Sequence, residues 1–349
     1  NGEQSPRSVI IKGLMLIQAL IIIIVLLVPF NALSQEPALR KAPVDNDGRF
    51  YNPWTGEEGR SFLDLLKWKF SENPYEEEKK RAPDFKITRP DFKALDKQKG
   101  DWFVWLGHST VLMRVGGLVI MTDPVLWDVN FLVKRAALLP VEPQELPKVD
   151  IVLISHGHYD HLDTKSVKFL KERFDPVFVT GPGYWNYFRS LGAKHASINW
   201  SEKYSLSGVD ITSLPVQHWS KRTFSDGNKM LWCSFLVEHA GRKYYWAGDT
   251  GYFSGFSEIG EKYGPIDIFF GPIGAYEPRW FMKENHMNPE EALQAAKDLR
   301  TKVFVPIHWG TFDLSDEPLW LPPKKVEELY RPEYGFEWKI LGHGGSFTP

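Results

Sequence analysis

The stretch VDIVLISHGHYDHLD, residues 149–163, passes from an apolar, strand-like run into three histidines and two aspartates packed within nine residues. Imidazole and carboxylate are the ligands of zinc, iron(II) and manganese sites. His156, His158, Asp160 and His161 place four donors within six residues, and they point inward together only if a tight loop curls around a centre. One tetrahedral catalytic ion takes three protein ligands and a water. The cluster therefore suggests two ions.

Other apolar runs end in the same way: ITSLPVQ leads into His218, YYWAG into Asp249 and KVFVPI into His308. Ligands held at strand ends by loops on a rigid scaffold are how a sheet protein builds a site. The count becomes seven, enough for three histidines on one ion and Asp160, His161 and His308 on the other, with Asp249 bridging. A lone histidine after a strand is ordinarily a satisfied core or surface residue. Four such groups side by side have no inexpensive structural rationale, because uncompensated buried polar groups are costly. A hydroxide shared by two ions is a nucleophile at neutral pH, and the ions offset charge developing on phosphoryl oxygens, so a phosphodiester is a natural substrate.

Strand-like runs recur at WFVWLGHSTVLMRVGGLVIMTDP, PVFVT, GVDITSLPV, MLWCSFLVEH, RKYYWAG, PIDIFFGPI and TKVFVPI, with a hairpin signature at Gly116-Gly117. Helical patterns lie between some of them, at TKSVKFLKERF, GYWNYFRSLGA and NPEEALQAAKDL, the last opened by Asn288 as cap, Pro289 and Glu291. Interleaved strands and helices predict an α/β fold of layered packing with a sheet that is not purely parallel. Arg7 and Lys12 precede an apolar stretch from Gly13 to Phe30, followed by Ala32-Leu33-Ser34, which reads as a signal peptide over 1–34, or as a membrane anchor through residues 13–30. The body is then expected to be exported, in a periplasmic or other extracytoplasmic location. Residues 35–100 read as an arm, with one helix at SFLDLLKWKF whose Phe62, Leu65, Leu66 and Phe70 share a face. Residues 101–349 read as the catalytic domain.

The 349 residues are 43% hydrophobic with a net charge of −2, so a real core is expected and a nucleic-acid partner is not. The single cysteine, Cys233, excludes an intramolecular disulfide and any cysteine-based zinc cluster. Any metal must rest on histidine and carboxylate.

The HxHxDH motif followed by a distal His, Asp and His resembles the metallo-β-lactamase superfamily. More narrowly, GRFYNPW (48–54), WLGHST (105–110), TDP (122–124), QHWSKRT (217–223), AGDTGY (247–252), GAYEPRWFM (274–282) and IHWGTF (307–312) resemble its N-acylphosphatidylethanolamine-hydrolysing phospholipase D branch, over residues 48–345. The resemblance implies a four-layer αβ/βα sandwich with two zinc ions at one edge, one on His156, His158 and His218 and the other on Asp160, His161 and His308, with Asp249 between them. Iron or manganese would suit the same donors. It also implies that Tyr159 and His286 contact the phospholipid head, and that attack by a metal-bridging hydroxide yields N-acylethanolamine and phosphatidic acid at a membrane surface. Asp249, orienting the nucleophile, and His286, on the phosphate or leaving alkoxide, are the expected catalytic groups. His108 and Asp123 are expected to support the ligating histidines, and Lys221, Arg222 and Arg279 are candidate phosphate partners. Trp219, Tyr276, Trp280, Phe281 and Trp309 are candidates for an acyl groove, though most such residues are core. The same ligands would serve a hydrolase of a sugar-phosphate lactone or another phosphodiester, and the sequence leaves a homodimer open.

Overall fold

The computed structural model describes residues 40–55, 61–81 and 83–349. The expected signal or anchor segment lies outside them, and among the described residues no helix is long and apolar enough to cross a membrane.

The strands among the described residues form two seven-stranded sheets. In the first, β1 (Trp102–Gly107), β2 (Thr110–Val115) and β3 (Leu118–Thr122) make an antiparallel meander that β4 (Ile151–Ile154), β5 (Val177–Thr180) and β6 (Lys194–Ser197) extend in parallel. The second follows the same plan. Antiparallel β7 (Lys203–Leu206), β8 (Val209–Leu214), β9 (Ser234–His239) and β10 (Arg242–Trp246) are continued in parallel by β11 (Ile266–Pro272), β12 (Thr301–Ile307) and β13 (Glu337–Trp338). Finally β14 (Ser346–Phe347) returns to pair with β1.

Local chemistry explains the switch within each sheet. Gly116-Gly117 (φ 58° and 86°), Ser207-Gly208 (50° and 81°) and Ala240-Gly241 (47° and 78°) are two-residue turns with both φ positive. That conformation matches the twist of an antiparallel pair. Parallel neighbours need longer crossovers, and helices Thr164–Phe174, Trp185–Ser190, Gly255–Tyr263 and Pro289–Asp298 supply them.

Alternating side chains fill two cores. Phe103, Trp105, Ile151 and Leu153 meet Ile211, Phe235, Val237 and Phe270 between the sheets. Trp102, Val104, Leu106, Val152 and Ile154 instead face Val167, Leu170 and Phe188 of the covering helices. Helix Pro289–Asp298 packs on β11 and β12 from the other side. The order is helix, sheet, sheet, helix, which is the expected αβ/βα sandwich, and it explains why strands buried on both faces read as continuous apolar runs.

Three local expectations need correcting. Helix Phe62–Phe70 forms behind a capping box of Ser61 and Asp64, but Leu65 and Phe70 are exposed and Trp68 is the side chain it buries. Trp68 Nε1 donates to Asp316 Oδ1 at 2.9 Å and its ring packs on Phe281 with centroids 5.0 Å apart, so Trp68 docks the helix by an apolar contact and a hydrogen bond together. β9 starts at Ser234, so Met230–Cys233 is not strand, although Cys233 is buried with its N–H on the Ser155 carbonyl at 3.0 Å. GYWNYFRSLGA is helical only over Trp185–Ser190.

Candidate metal centre

Four strand ends deliver the candidate residues to one edge of the sandwich. β4 runs into Ser155–Asp163, β8 leads to His218, β10 to Asp249 and β12 to His308. Asp163 closes the first loop by capping helix Thr164–Phe174, its carboxylate accepting the Ser166 N–H at 2.9 Å. The two sheets touch at Gly248, whose φ is +63° and where a Cβ would lie 2.7 Å from that of Ser155. Only glycine lets the Asp249 loop pass so close to the His156 loop.

The donors gather as two sets of three. His156 Nε2 lies 2.8 Å and His218 Nε2 3.3 Å from Nδ1 of His158. Asp160, His161 and His308 form the second set, their ligand atoms within 4.8 Å of one another and of His108. Asp249 stands between: Oδ1 is 2.9 Å from His308 Nε2, Oδ2 is 3.1 Å from His161 Nε2, and a carboxylate oxygen is within 4.8 Å of donors on His218 and His286.

Outer contacts fix the ring orientations. His161 Nδ1 meets Asp123 Oδ2 at 2.6 Å, and Asp123 also accepts from the Ser155 N–H at 2.8 Å. His156 Nδ1 meets Ser155 Oγ at 2.8 Å, and His218 Nδ1 faces the Asn285 carbonyl at 3.0 Å. His108 ties the second set together. Its Nε2 is 3.1 Å from Asp160 Oδ2, its ring centroid is 4.0 Å from that of His308, and its carbonyl accepts the His308 N–H at 3.0 Å. Both His108 (φ 52°) and His308 (φ 63°) hold left-handed backbone conformations, a strain typical of functional sites.

Charge follows burial. Desolvation lowers His158 and His286 to about 4 and His108 to about 3, and it drives His156 and His218 well below the ordinary value, helped by neighbouring imidazoles. For His161 burial is outweighed by Asp249, Asp160 and Asp123, which raise it well above 6.5. The same cluster holds Asp160 and Asp249 well below the carboxylate range despite their burial.

These residues fit divalent ions. Three neutral imidazole nitrogens facing one another cannot be satisfied by a single proton, whereas one cation satisfies all three. In the second set Nε2 of His161, Nε2 of His308 and Oδ1 of Asp249 are buried and lack hydrogen-bonding geometry, despite the short distances to Asp249. Buried polar atoms left in this state point to an ion.

Of the substrate candidates, Tyr159 is 54% exposed beside the cluster, its hydroxyl donating to the Arg222 carbonyl at 2.7 Å. His286 Nδ1 is 3.8 Å from Asp249 Oδ2. Arg222 and Arg279, the candidate phosphate partners, make contacts inside the protein. Arg222 donates to the carbonyls of Gly157 (2.9 Å) and Leu162 (2.8 Å), clamping the histidine loop. Arg279 forks onto Glu291 (2.9 and 2.7 Å) and reaches the His286 carbonyl at 2.9 Å. Trp309 packs on Trp105 in the core with centroids 4.9 Å apart, Tyr276 is buried, and Trp219 lies against His158 at 4.4 Å. Sequence reading missed Ser155, Asn285 and Asn52, whose Nδ2 donates to the His218 carbonyl at 2.8 Å. Only Ser155 carried a signal, its adjacency to His156.

A paired-sheet fold with these donors at one edge defines a class. The family model for the beta-lactamase superfamily domain matches residues 119–309. N-acyl-phosphatidylethanolamine-hydrolyzing phospholipase D 1 of Caenorhabditis elegans is 37% identical over 315 residues, covering 82% of this chain and 88% of that protein. The mitochondrial N-acyl-phosphatidylethanolamine-hydrolyzing phospholipase D of Saccharomyces cerevisiae is 38% identical over 239 residues, 64% of this chain and 51% of that protein. Among solved structures, Igni18, a metallo hydrolase of Ignicoccus hospitalis, superposes with a TM-score of 0.56 at 25% identity, covering 71% of this chain and 98% of that one. The chain belongs to the beta-lactamase superfamily, in its N-acylphosphatidylethanolamine-hydrolysing phospholipase D-like branch, and is a metal-dependent hydrolase.

Proposed function

We propose that the chain is a dinuclear phosphodiesterase that hydrolyses N-acylphosphatidylethanolamine to N-acylethanolamine and phosphatidic acid. The observation that carries this reading is the position of Asp249 between the His156/His158/His218 set and the Asp160/His161/His308 set. Those seven residues would hold two divalent ions, zinc or, by the same donor chemistry, iron or manganese. When bound, such a pair generates a hydroxide nucleophile at neutral pH and stabilises charge on phosphoryl oxygens.

The chain's own groups do the rest. Asp123, Ser155 and the Asn285 carbonyl fix His161, His156 and His218 before substrate arrives, so little reorganisation is left for the reaction. Burial keeps His286 uncharged at neutral pH. It therefore serves the phosphate or the leaving alkoxide as a neutral N–H donor, not as an imidazolium. Tyr159 contacts the head group from the exposed side of the histidine loop.

A phospholipid at a membrane surface is supported by large apolar side chains left in solvent on the loops that carry the site. Phe224 is fully exposed on the loop after His218, Trp280 lies next to Arg279, and Phe131 and Leu132 sit on the segment whose Arg135 pairs with Phe312 beyond His308. Contiguous exposed apolar patches mark membrane or partner surfaces, and these side chains are the candidates to form one here. Export of the body, with or without an anchor through residues 13–30, is the matching placement.

Hydrolysis of N-acylphosphatidylethanolamine in ¹⁸O-water tests the chemistry. Attack at phosphorus puts the label in phosphatidic acid and none in N-acylethanolamine; label in the N-acylethanolamine would mean C–O cleavage and would refute the proposed attack.

A further inference from the structure

A histidine that turns one ring nitrogen to a metal has a second that must be satisfied elsewhere. His156, His161 and His218 have theirs on Ser155, Asp123 and the Asn285 carbonyl. His158 presents Nδ1 to its set and its ring lies against Trp219. Two second nitrogens are left buried with no hydrogen-bond partner, His158 Nε2 and His308 Nδ1, and the His308 ring turns its Nε2 to Asp249.

His308 lines a cavity of about 10 Å³, together with His108, Gly274, Ala275, Ser315 and Glu317. That is room for roughly one water, and a polar wall is what holds one. Glu317 is 3% exposed. Its Oε1 accepts the Tyr276 N–H at 3.2 Å and its Oε2 the Glu277 N–H at 3.0 Å, the Ser315 side chain is a further partner, and burial still pushes the carboxyl above its ordinary range. Among the described residues no lysine, arginine or histidine forms an ion pair with it. A carboxylate buried without a cation is costly unless positive charge lies near, and the second donor set is where such charge would sit.

We infer that Glu317 is a positioning residue for His308, acting through one buried water that accepts the His308 Nδ1–H and donates to the Glu317 carboxylate. His308, water and Glu317 thus do for the second set what the direct His161–Asp123 contact does for its neighbour. The inference rests on His308 being a ligand, as proposed above.

The test is stepwise zinc titration of the metal-stripped full chain, wild type against Glu317→Gln. The amide carries no charge; its oxygen can accept from one of the two backbone N–H groups, and its NH2 cannot accept from the other. Weakening of one binding step by about 10–100-fold is expected, the usual cost of an outer partner, with the other step unchanged and a modest fall in the melting temperature of the stripped protein from the one N–H left without its acceptor. Two unchanged steps would overturn the inference. So would equal weakening of both with a lower melting temperature, which marks a general packing role. A high-resolution crystal structure of the zinc-loaded wild type is an independent check: a water between His308 Nδ1 and Glu317 is required, and an empty cavity refutes it. Two-step binding by wild type with an indifferent Glu317→Gln sinks this inference alone, whereas failure of wild type to bind two ions sinks the dinuclear reading.

Discussion

Asp249 Oδ1 stands 2.9 Å from Nε2 of His308, although the two residues leave strands β10 and β12 separated in the sheet by β11. The contact spans a neighbouring strand because both side chains turn to the same edge, where the other sheet's His161 also meets Asp249 at 3.1 Å. Asp249→Asn removes one anionic oxygen from this junction. Activity should fall at least about 100-fold, beyond the usual loss of an outer partner, and metal content should drop, measured by elemental analysis after dialysis. Full metal content and full turnover in the Asp249→Asn protein would remove Asp249 from the centre.

Gly248→Ala tests the close approach of the sheets. Ala would take φ +63° with its Cβ 2.7 Å from that of Ser155, so stability should fall by about 2 kcal/mol or more, read from the denaturant midpoint. Activity should fall with it, because Asp249 is the next residue. A neutral substitution would show that the loops have slack.

Arg222 separates clamping from phosphate binding. With Arg222→Met the Gly157 and Leu162 carbonyls lose their donor, and about 2–3 kcal/mol of stability should go with them. Turnover should fall while KM stays within about twofold, since no ground-state contact to substrate is lost. A raised KM with unchanged kcat would instead make Arg222 a phosphate ligand.

Acid should destabilise the metal-stripped protein. His156, His158, His218, His286 and His108 have depressed folded values. Below about 6.5 the unfolded chain takes up protons that the folded chain refuses. Stability then falls as pH drops below about 6.5. His161 has the opposite sign: its contribution is complete below about 6.5 and is lost as pH rises through its elevated folded value. Five groups oppose one, so the melting temperature should be lower at pH 5 than at pH 7. A flat or rising profile would contradict the burial of neutral imidazoles.

Much of this architecture was legible in the chain because strand ends and donors coincide. Strands β4, β8, β10 and β12 overlap VDIVLI, ITSLPV, YYW and KVFVPI, and each ends one to four residues before its donor, His156, His218, Asp249 or His308. Second-layer contacts were less legible. Asn52 reaches the His218 carbonyl across 166 positions of sequence, and a main-chain acceptor such as Asn285 leaves no trace in side-chain identity. The clamping contacts of Arg222 and Arg279 were illegible for a related reason: a cation near a phosphate site and a cation pinning its loops look alike until their donors are traced. The helix at 62–70 shows the limit of periodicity, since a shared face does not say whether anything covers it.

Zinc titration of the metal-stripped full chain, following hydrolysis of N-acylphosphatidylethanolamine with phosphatidylcholine as the control, decides whether two ions together serve the reaction. Turnover of the N-acylated lipid should reach its plateau only at about two ions per chain, with phosphatidylcholine left intact. Full activity at one ion, or a fully loaded protein that leaves the N-acylated lipid untouched, would contradict the proposed function.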